Sequence, residues 1–478
     1  MAKNDKSPNA GYKNRFSRKR LDLQPVAFID NMVFSEKECW AYYRVENRGY
    51  DFISPDAQSE LIRRLTNSFN NLVSDRNITM DGHLIVTSAP VDIDLWEKQM
   101  YDMSAAWNRS PGFEDYIRMM GDFLRNENYA SKVVYLGFML GKRGALNVDN
   151  LNPFENGLDG VKELGAKWLR TSLKLPTAEV PEDEENEYRA KEEDIHRTLS
   201  IGSLKAKRCT AEELLLQIKR QFYPAMPAPY LTVDHDNRFG VGDLVLETDS
   251  VIKNKFRWLE FDQMVSNPYA KEEIVQAHGY RATLSMTKFP KEMVFPGSMP
   301  FLYYIYKLGL PFSAYARFTI RNTKEMKKEL EKKKKEQKDE LENMAQGLNN
   351  TDLAVGGMPE EASEALYDQQ RMSAILASDK TAWVEGSYFI VIEAPTLEIL
   401  KKYVAAVKDR YADNDITINW TSGDQALLFL SQMPGDFHRM QSFDQVTTLG
   451  QLPGSGFNLS SEVGDEIASP LGSEGLRK

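Results

Sequence analysis

The amino-acid sequence predicts an α+β protein in which mixed sheets are covered by helices. Runs of β-branched and aromatic residues with the length of strands alternate with stretches whose apolar residues recur every three or four positions. In the second half the predicted order is strand, helix (Met299–Leu308), strand, a charged insertion, then strand, helix, strand. That order is typical of a split-βαβ, or ferredoxin-like, domain. With 42% hydrophobic residues, the chain can form sizeable cores.

Residues 1–22 form a basic arm that we expect to be disordered. The first 20 residues contain seven cations and a single carboxylate, Asp5. The cations nearest the first strand are Arg15, Arg18, Lys19 and Arg20. Such an arm favours contact with anionic lipid or nucleic acid. A solubilising tail is an alternative interpretation that the sequence leaves open.

Residues 23–143 are predicted to form an N-terminal α+β lobe. The segments QPVAFIDNMVF and ECWAYYRVE predict two strands around a turn at Ser35–Lys37. A helix follows, with Ser54 as its N-cap and Pro55 in its first turn. HLIVTSAPVDI predicts a strand, residues 95–126 a helical stretch, and SKVVYLGFMLGKR a buried strand.

Residues 144–229 are predicted to be a mainly helical connection. Its acidic run, residues 181–194, is expected to be the exposed face of a helix, and contact with a basic partner is the alternative. Residues 230–275 are predicted to be rich in strands.

Residues 276–440 are predicted to form the split-βαβ domain. Residues 323–377 interrupt it with two charged, sparsely apolar segments separated by a Gly-rich breaker, which predicts an inserted antiparallel helical hairpin. The alternative is a solvated helix joined to a loop. Residues 441–478, rich in Gly and Ser, are predicted to be a linker.

Composition limits the functional classes. A net charge of −10 argues against a dedicated nucleic-acid binder, and two cysteines in 478 residues indicate a reducing compartment. We expect a cytoplasmic protein, since the N-terminus lacks the apolar region of a signal peptide and no apolar run approaches the length of a membrane span.

Motifs of catalysis are missing from the sequence. It contains no G-x-x-x-x-G-K-[ST] phosphate loop, no G-x-G-x-x-G, and no His or Cys spacing typical of zinc. We therefore predict no catalytic, cofactor-binding or metal-binding residues. Aromatic and basic residues interleave at Asn254–Phe261 and Phe301–Phe318, as in platforms that stack single-stranded nucleic acid, although core packing is the commoner explanation of such runs.

One region resembles a known family. The segment from Gly386 predicts strand, helix, strand and a short helix, and ends in SQMPGDF. This order resembles the large traffic ATPases of type IV secretion and conjugative transfer, in which a Q-[LM]-P-G-[ND]-F element follows the same strand–helix–strand. RATLSMTKFPKEMVFPG is similar to an upstream part of that family, and WAYYRVENRGYDFIS resembles its Gram-positive conjugative branch. The element is filled here by Gln432, Met433, Pro434, Gly435, Asp436 and Phe437.

The resemblance implies the non-catalytic N-terminal half of such an ATPase, without a RecA-like core, so ATP and Mg²⁺ would belong to a further domain. It also implies assembly and docking at the inner face of the cell membrane, with channel proteins, a coupling ATPase and further copies of the chain as partners. Pro434 and Gly435 would set a turn. The alternative function is a free-standing interaction or nucleic-acid-binding protein that uses the basic arm and the aromatic strands.

Overall fold

A computed structural model describes residues 25–35, 37–50, 53–74, 79–90, 111–126, 130–143, 180–226, 238–240, 251–267, 270–290, 297–306, 310–321, 382–436 and 440–460, with a few isolated positions between these ranges. Over this part of the chain the fold is mixed α+β, with one large antiparallel sheet and eight helices. The predicted basic arm and, apart from isolated helical positions, the predicted hairpin lie outside the described residues.

The strands are β1 Pro25–Ile29, β2 Met32–Ser35, β3 Glu38–Val45, β4 Arg48–Gly49, β5 Met80–Pro90, β6 Ala130–Lys142, β7 Lys207–Arg208, β8 Arg238–Gly240, β9 Val251–Asn254, β10 Leu259–Asn267, β11 Ala270–Lys288, β12 Phe312–Arg321, β13 Trp383–Ala394, β14 Thr417–Trp420, β15 Gln445–Thr448 and β16 Leu459–Ser460. The helices are α1 Pro55–Ser74, α2 Pro111–Asn126, α3 Glu182–Ile201, α4 Ala211–Arg220, α5 Tyr303–Tyr306, α6 Leu397–Ala412, α7 Gln425–Ser431 and α8 Gln451–Gly454.

One sheet runs through both of the predicted lobes. Its order is β8-β1-β2-β3-β6-β5-β12-β13-β11-β10-β9, with β7 beside β3, β14 beside β11 and β15 beside β13. The two halves join where β5 pairs antiparallel with β12, from Ala314 opposite Val86 to Ile320 opposite Met80. The predicted boundaries at 143 and 276 therefore do not divide the sheet.

The two halves of the sheet repeat one order of elements. In the N-terminal unit β3, α1, β5, β6, α3 and β7 occur in this order, with β4 after β3 and α2 after β5 as additions, and in the C-terminal unit β11, α5, β12, β13, α6 and β14 occur in the same order. Numbered along the chain, the four strands of each unit lie in the order fourth, first, third, second, and the two second strands are β5 and β12. A short helix follows each fourth strand: α4 in the first unit and α7 in the second. The join is therefore between equivalent strands.

Helices cover both faces of the sheet. Apolar residues of α1, α3, α5 and α6 share one large core with one face, and the side chains of α1 that point into it recur at helical spacing, as at Leu65, Phe69 and Leu72. The opposite face packs against α4 and α7, which contribute Leu214, Ile218 and Phe429 to a second core. Among the described residues no helix combines the length and apolarity that a bilayer crossing needs.

Three predicted elements differ from the structure. QPVAFIDNMVF is two strands rather than one, because the chain turns at Asp30, whose φ is 51°. The helix predicted over 299–308 is reduced to Tyr303–Tyr306. The predicted linker 441–478 is wrong for 441–460: β15 pairs with β13, and Leu452, Phe457 and Leu459 are buried.

The acidic run lies in α3, and most of its carboxylates are exposed, as predicted. Glu185 and Glu192 are buried exceptions, at 6% and 3% exposure. Glu192 accepts hydrogen bonds from Asn31 Nδ2 at 2.9 Å and Arg208 Nε at 2.9 Å. A basic residue of this same chain is therefore one partner of the acidic run.

Candidate functional site

The Gln432–Asp436 element lies at the end of α7, against the middle of the sheet. All five residues are buried, and Phe437 lies outside the described residues. The chain turns there because Met433 N–H donates to Leu430 O, Asp436 N–H donates to Met433 O, and Gly435 has a φ of +75°. That left-handed conformation favours glycine.

The element binds strands of both units. Arg317 on β12 donates from Nε to Ser431 O at 2.8 Å and from Nη2 to Met433 O at 3.2 Å. On β3, the Tyr42 hydroxyl accepts a hydrogen bond from Gly435 N–H at 2.9 Å. The carboxyl end of α7 is thus fixed to the N-terminal unit, although α7 belongs to the C-terminal one.

A buried histidine lies where the units join. His83 on β5 is directly opposite Arg317 on β12, and both are almost fully buried. The Tyr42 oxygen accepts from Gly435 N–H and also lies 3.0 Å from His83 Nδ1, where the tautomer of the imidazole decides which atom donates. For His83 Nε2 the described residues provide no hydrogen-bond partner.

Burial keeps the His83 imidazole and the Tyr42 phenol neutral. Desolvation, followed by the nearby Arg317 charge, holds the pKa of His83 well below its usual value, and desolvation raises the pKa of the Tyr42 phenol. The Arg317 guanidinium lies 5.2 Å from the centre of the Trp40 ring, and its charge is stabilised by that ring and by the two carbonyls. The cluster is therefore a rigid polar contact between strands.

The other short helix, α4, follows the N-terminal unit and contacts strands of the C-terminal half. At the end of α4, the Phe222 carbonyl accepts a hydrogen bond from Gln263 Nε2 on β10 at 2.8 Å. Gln221 Oε1 accepts one from Arg281 Nη1 on β11 at 2.7 Å. The rings of Phe222 and Phe429 lie 5.3 Å apart, so α4 and α7 also touch each other. The last helix of each unit therefore contacts strands of the other unit as well as strands of its own.

A second feature is an open cleft of about 410 Å³ at the edge of the C-terminal unit. It lies between the β9–β10 hairpin, α6 and the end of β14. The residues that line it are Arg257, Lys408, Asn419, Trp420, Thr421, Ser422, Asp424 and Phe443.

Backbone contacts shape this cleft. Trp420 Nε1 donates to Arg257 O at 2.6 Å, and Gly423 N–H donates to Phe256 O at 2.7 Å. The rings of Trp258 and Trp420 are 6.4 Å apart and inclined by 43°. The hairpin and the chain after β14 are thereby held together, with aromatic surface between them.

Sequence reasoning found the Gln432–Phe437 element but missed its partners. Tyr42, His83 and Arg317 lie inside ordinary strand patterns, and nothing in their spacing marks them. The cleft was signalled in part by the interleaved aromatic and basic residues at Asn254–Phe261. By contrast, Phe301 and Tyr315 from the other interleaved run are buried, as core packing requires. The candidate contacts Arg15, Arg18, Lys19 and Arg20 lie outside the described residues.

The described residues contain no group of three or more His, Cys, Asp or Glu side chains placed to hold a metal ion. Models of known protein families and curated protein sequences, compared with this chain, give no match.

Proposed function

We propose that this chain is an assembly and docking platform, of the kind provided by the N-terminal half of conjugative type IV secretion ATPases. In that role it couples ATP hydrolysis in another domain or subunit to a membrane channel for DNA transfer. The observation that carries the proposal is the buried Gln432–Asp436 element, which fixes α7 to both units of the sheet. A platform that transmits force between partners needs such a rigid join.

The strand order supports the split-βαβ interpretation of residues 276–440. The order β14-β11-β13-β12 is the fourth-first-third-second arrangement of a ferredoxin-like sheet, and every pair in it is antiparallel. Arg321 at the end of β12 lies opposite Trp383 at the start of β13. The segment between them therefore leaves and returns at adjacent positions, as an inserted hairpin requires.

The proposed partners are inner-membrane channel proteins of the secretion system, a coupling ATPase and further copies of this chain. The proposed location is the inner face of the cell membrane, where the basic arm would meet anionic lipid. The chain itself is proposed to have no catalytic role.

Replacing residues 323–377 by a short Gly-Ser turn tests the proposal. The flanking residues Arg321 and Trp383 are paired in the sheet, so we expect the shortened protein to keep its secondary structure and unfolding transition. DNA transfer from donor cells and co-purification of channel proteins should fall at least tenfold. The matched control keeps the segment's length and composition but exchanges its Lys and Glu positions.

Two results would overturn the proposal. One is unchanged transfer and co-purification by the folded, shortened protein. The other is ATP hydrolysis by the purified chain alone, since a docking platform leaves that reaction to a partner.

A further inference from the structure

Partly exposed aromatic side chains surround the cleft lined by Arg257, Lys408 and Trp420, which we call the Trp420 cleft. Phe256, at the tip of the β9–β10 hairpin, is 65% exposed, although a phenylalanine is usually buried. Trp258, Trp420 and Phe443 are only partly buried. Part of the surface of each of these side chains is therefore open to solvent.

Three cations around the cleft have no carboxylate partner among the described residues. Arg257, Lys401 and Lys408 are exposed and form no ion pair there, although the nearby Lys253 bonds Asp262 at 2.8 Å. The Arg257 and Lys401 charges instead lie 5.7 Å from the ring centres of Trp420 and Trp258, respectively.

One acid enters this cleft. Asp424 is its only carboxylate among the lining residues, and Arg257 and Lys408 line the same cleft. The ionisable residues that line the cleft, Arg257, Lys408 and Asp424, thus sum to one positive charge, although the whole chain carries a net charge of −10. An anionic ligand is favoured at this place by local charge, whatever the charge of the whole molecule.

We propose that this cleft binds single-stranded nucleic acid. Bases stack on Trp420 and its aromatic neighbours, and the phosphates meet Arg257, Lys401 and Lys408. Interleaved ring faces and cations suit a strand with exposed bases, because each nucleotide offers one flat face and one negative charge. In a duplex, the faces of each base are covered by the neighbouring base pairs. The vesicle measurement described below distinguishes a nucleic-acid strand from a lipid surface.

Binding of labelled oligothymidylate to the full chain, followed by fluorescence anisotropy and tryptophan quenching, tests the proposal. Trp420→Ala should weaken binding about tenfold or more, and Trp420→Phe should recover much of it, because stacking on one ring is worth about 1–3 kcal/mol per base. Three phosphate contacts predict a slope of about −2 for log K against log salt on a single strand. Lys408→Glu should make that slope shallower by about 0.7 or more.

The matched control is Lys207→Glu. Lys207 is also exposed, forms no ion pair among the described residues, and lies on β7 in the other unit. We expect this variant to bind like the parent chain. Removal of residues 1–22 serves as the second control, because that arm is the competing cationic element.

Three results would overturn the proposal. The first is binding that Trp420→Ala and Lys408→Glu leave unchanged while removal of residues 1–22 abolishes it. The second is equal affinity for a duplex of the same length. The third is binding of phosphatidylserine vesicles through these same residues with no binding of the oligonucleotide.

Discussion

Substituting Gly435 by alanine tests the join between the two units. Gly435 has a φ of +75°, and a methyl group added there would lie 2.3 Å from Val33 Cγ1. Val33 on β2 is completely buried, so it has little room to move away. The substitution therefore strains the backbone and overpacks the contact between α7 and the N-terminal unit.

Two contributions set the size of the effect. A left-handed conformation costs a residue with a Cβ about 1–2 kcal/mol. An extra carbon in a packed core costs about 1–3 kcal/mol. We therefore expect Gly435→Ala to lower the free energy of unfolding by about 2–5 kcal/mol. Gly49→Ala is the matched control, because a methyl group there would meet nothing within 4 Å.

Urea unfolding of the full chain, followed by circular dichroism and tryptophan fluorescence, measures the difference. Val33→Ala should partly rescue Gly435→Ala, since the smaller side chain removes the overlap but leaves the backbone strain. The reasoning is refuted if Gly435→Ala is no more destabilising than Gly49→Ala, or if the double variant loses the full sum of the two single effects.

Tyr42→Phe should lower the free energy of unfolding by about 1–3 kcal/mol, because it leaves the Gly435 N–H and His83 Nδ1 buried without their hydroxyl partner. Tyr135→Phe on β6 is the comparison in the same urea assay, and equal effects of the two would contradict this role for the hydroxyl. The pKa of His83 is held low in the folded protein, so below about pH 6.5 the unfolded chain binds a proton that the folded one does not. Stability should therefore fall as pH drops, by about 1.4 kcal/mol per pH unit from this site until the folded pKa is reached, and His83→Gln should show a shallower decline from pH 6.5 to 5.

Much of the local structure follows from the sequence. The strand patterns before the insertion and after it, and the helical spacing in α1 and α6, were predicted close to their observed ends. Local periodicity suffices there because each element buries one face, and the spacing of apolar residues records that face.

Long-range pairing did not follow from the sequence. Nothing in β5 or β12 shows that His83 and Arg317, 234 positions apart, lie opposite each other. The folded stretch 441–460 was also missed, because its Gly and Ser content is typical of a loop. A few apolar side chains, among them Leu452 and Phe457, are buried there. Composition does not report such contacts, since they depend on what the rest of the chain places nearby.

The join through β5 and β12 has a consequence for the origin of the molecule. Two units that share one order of core elements, meet through equivalent strands and each bring a last helix into contact with the other unit form the arrangement expected if a symmetric homodimer became a single polypeptide by gene duplication and fusion. The ancestral unit would have closed its own exposed edge by pairing with an identical neighbour. Divergence after such a fusion would account for the Gln432–Asp436 turn and the Trp420 cleft, both of which lie in the C-terminal half.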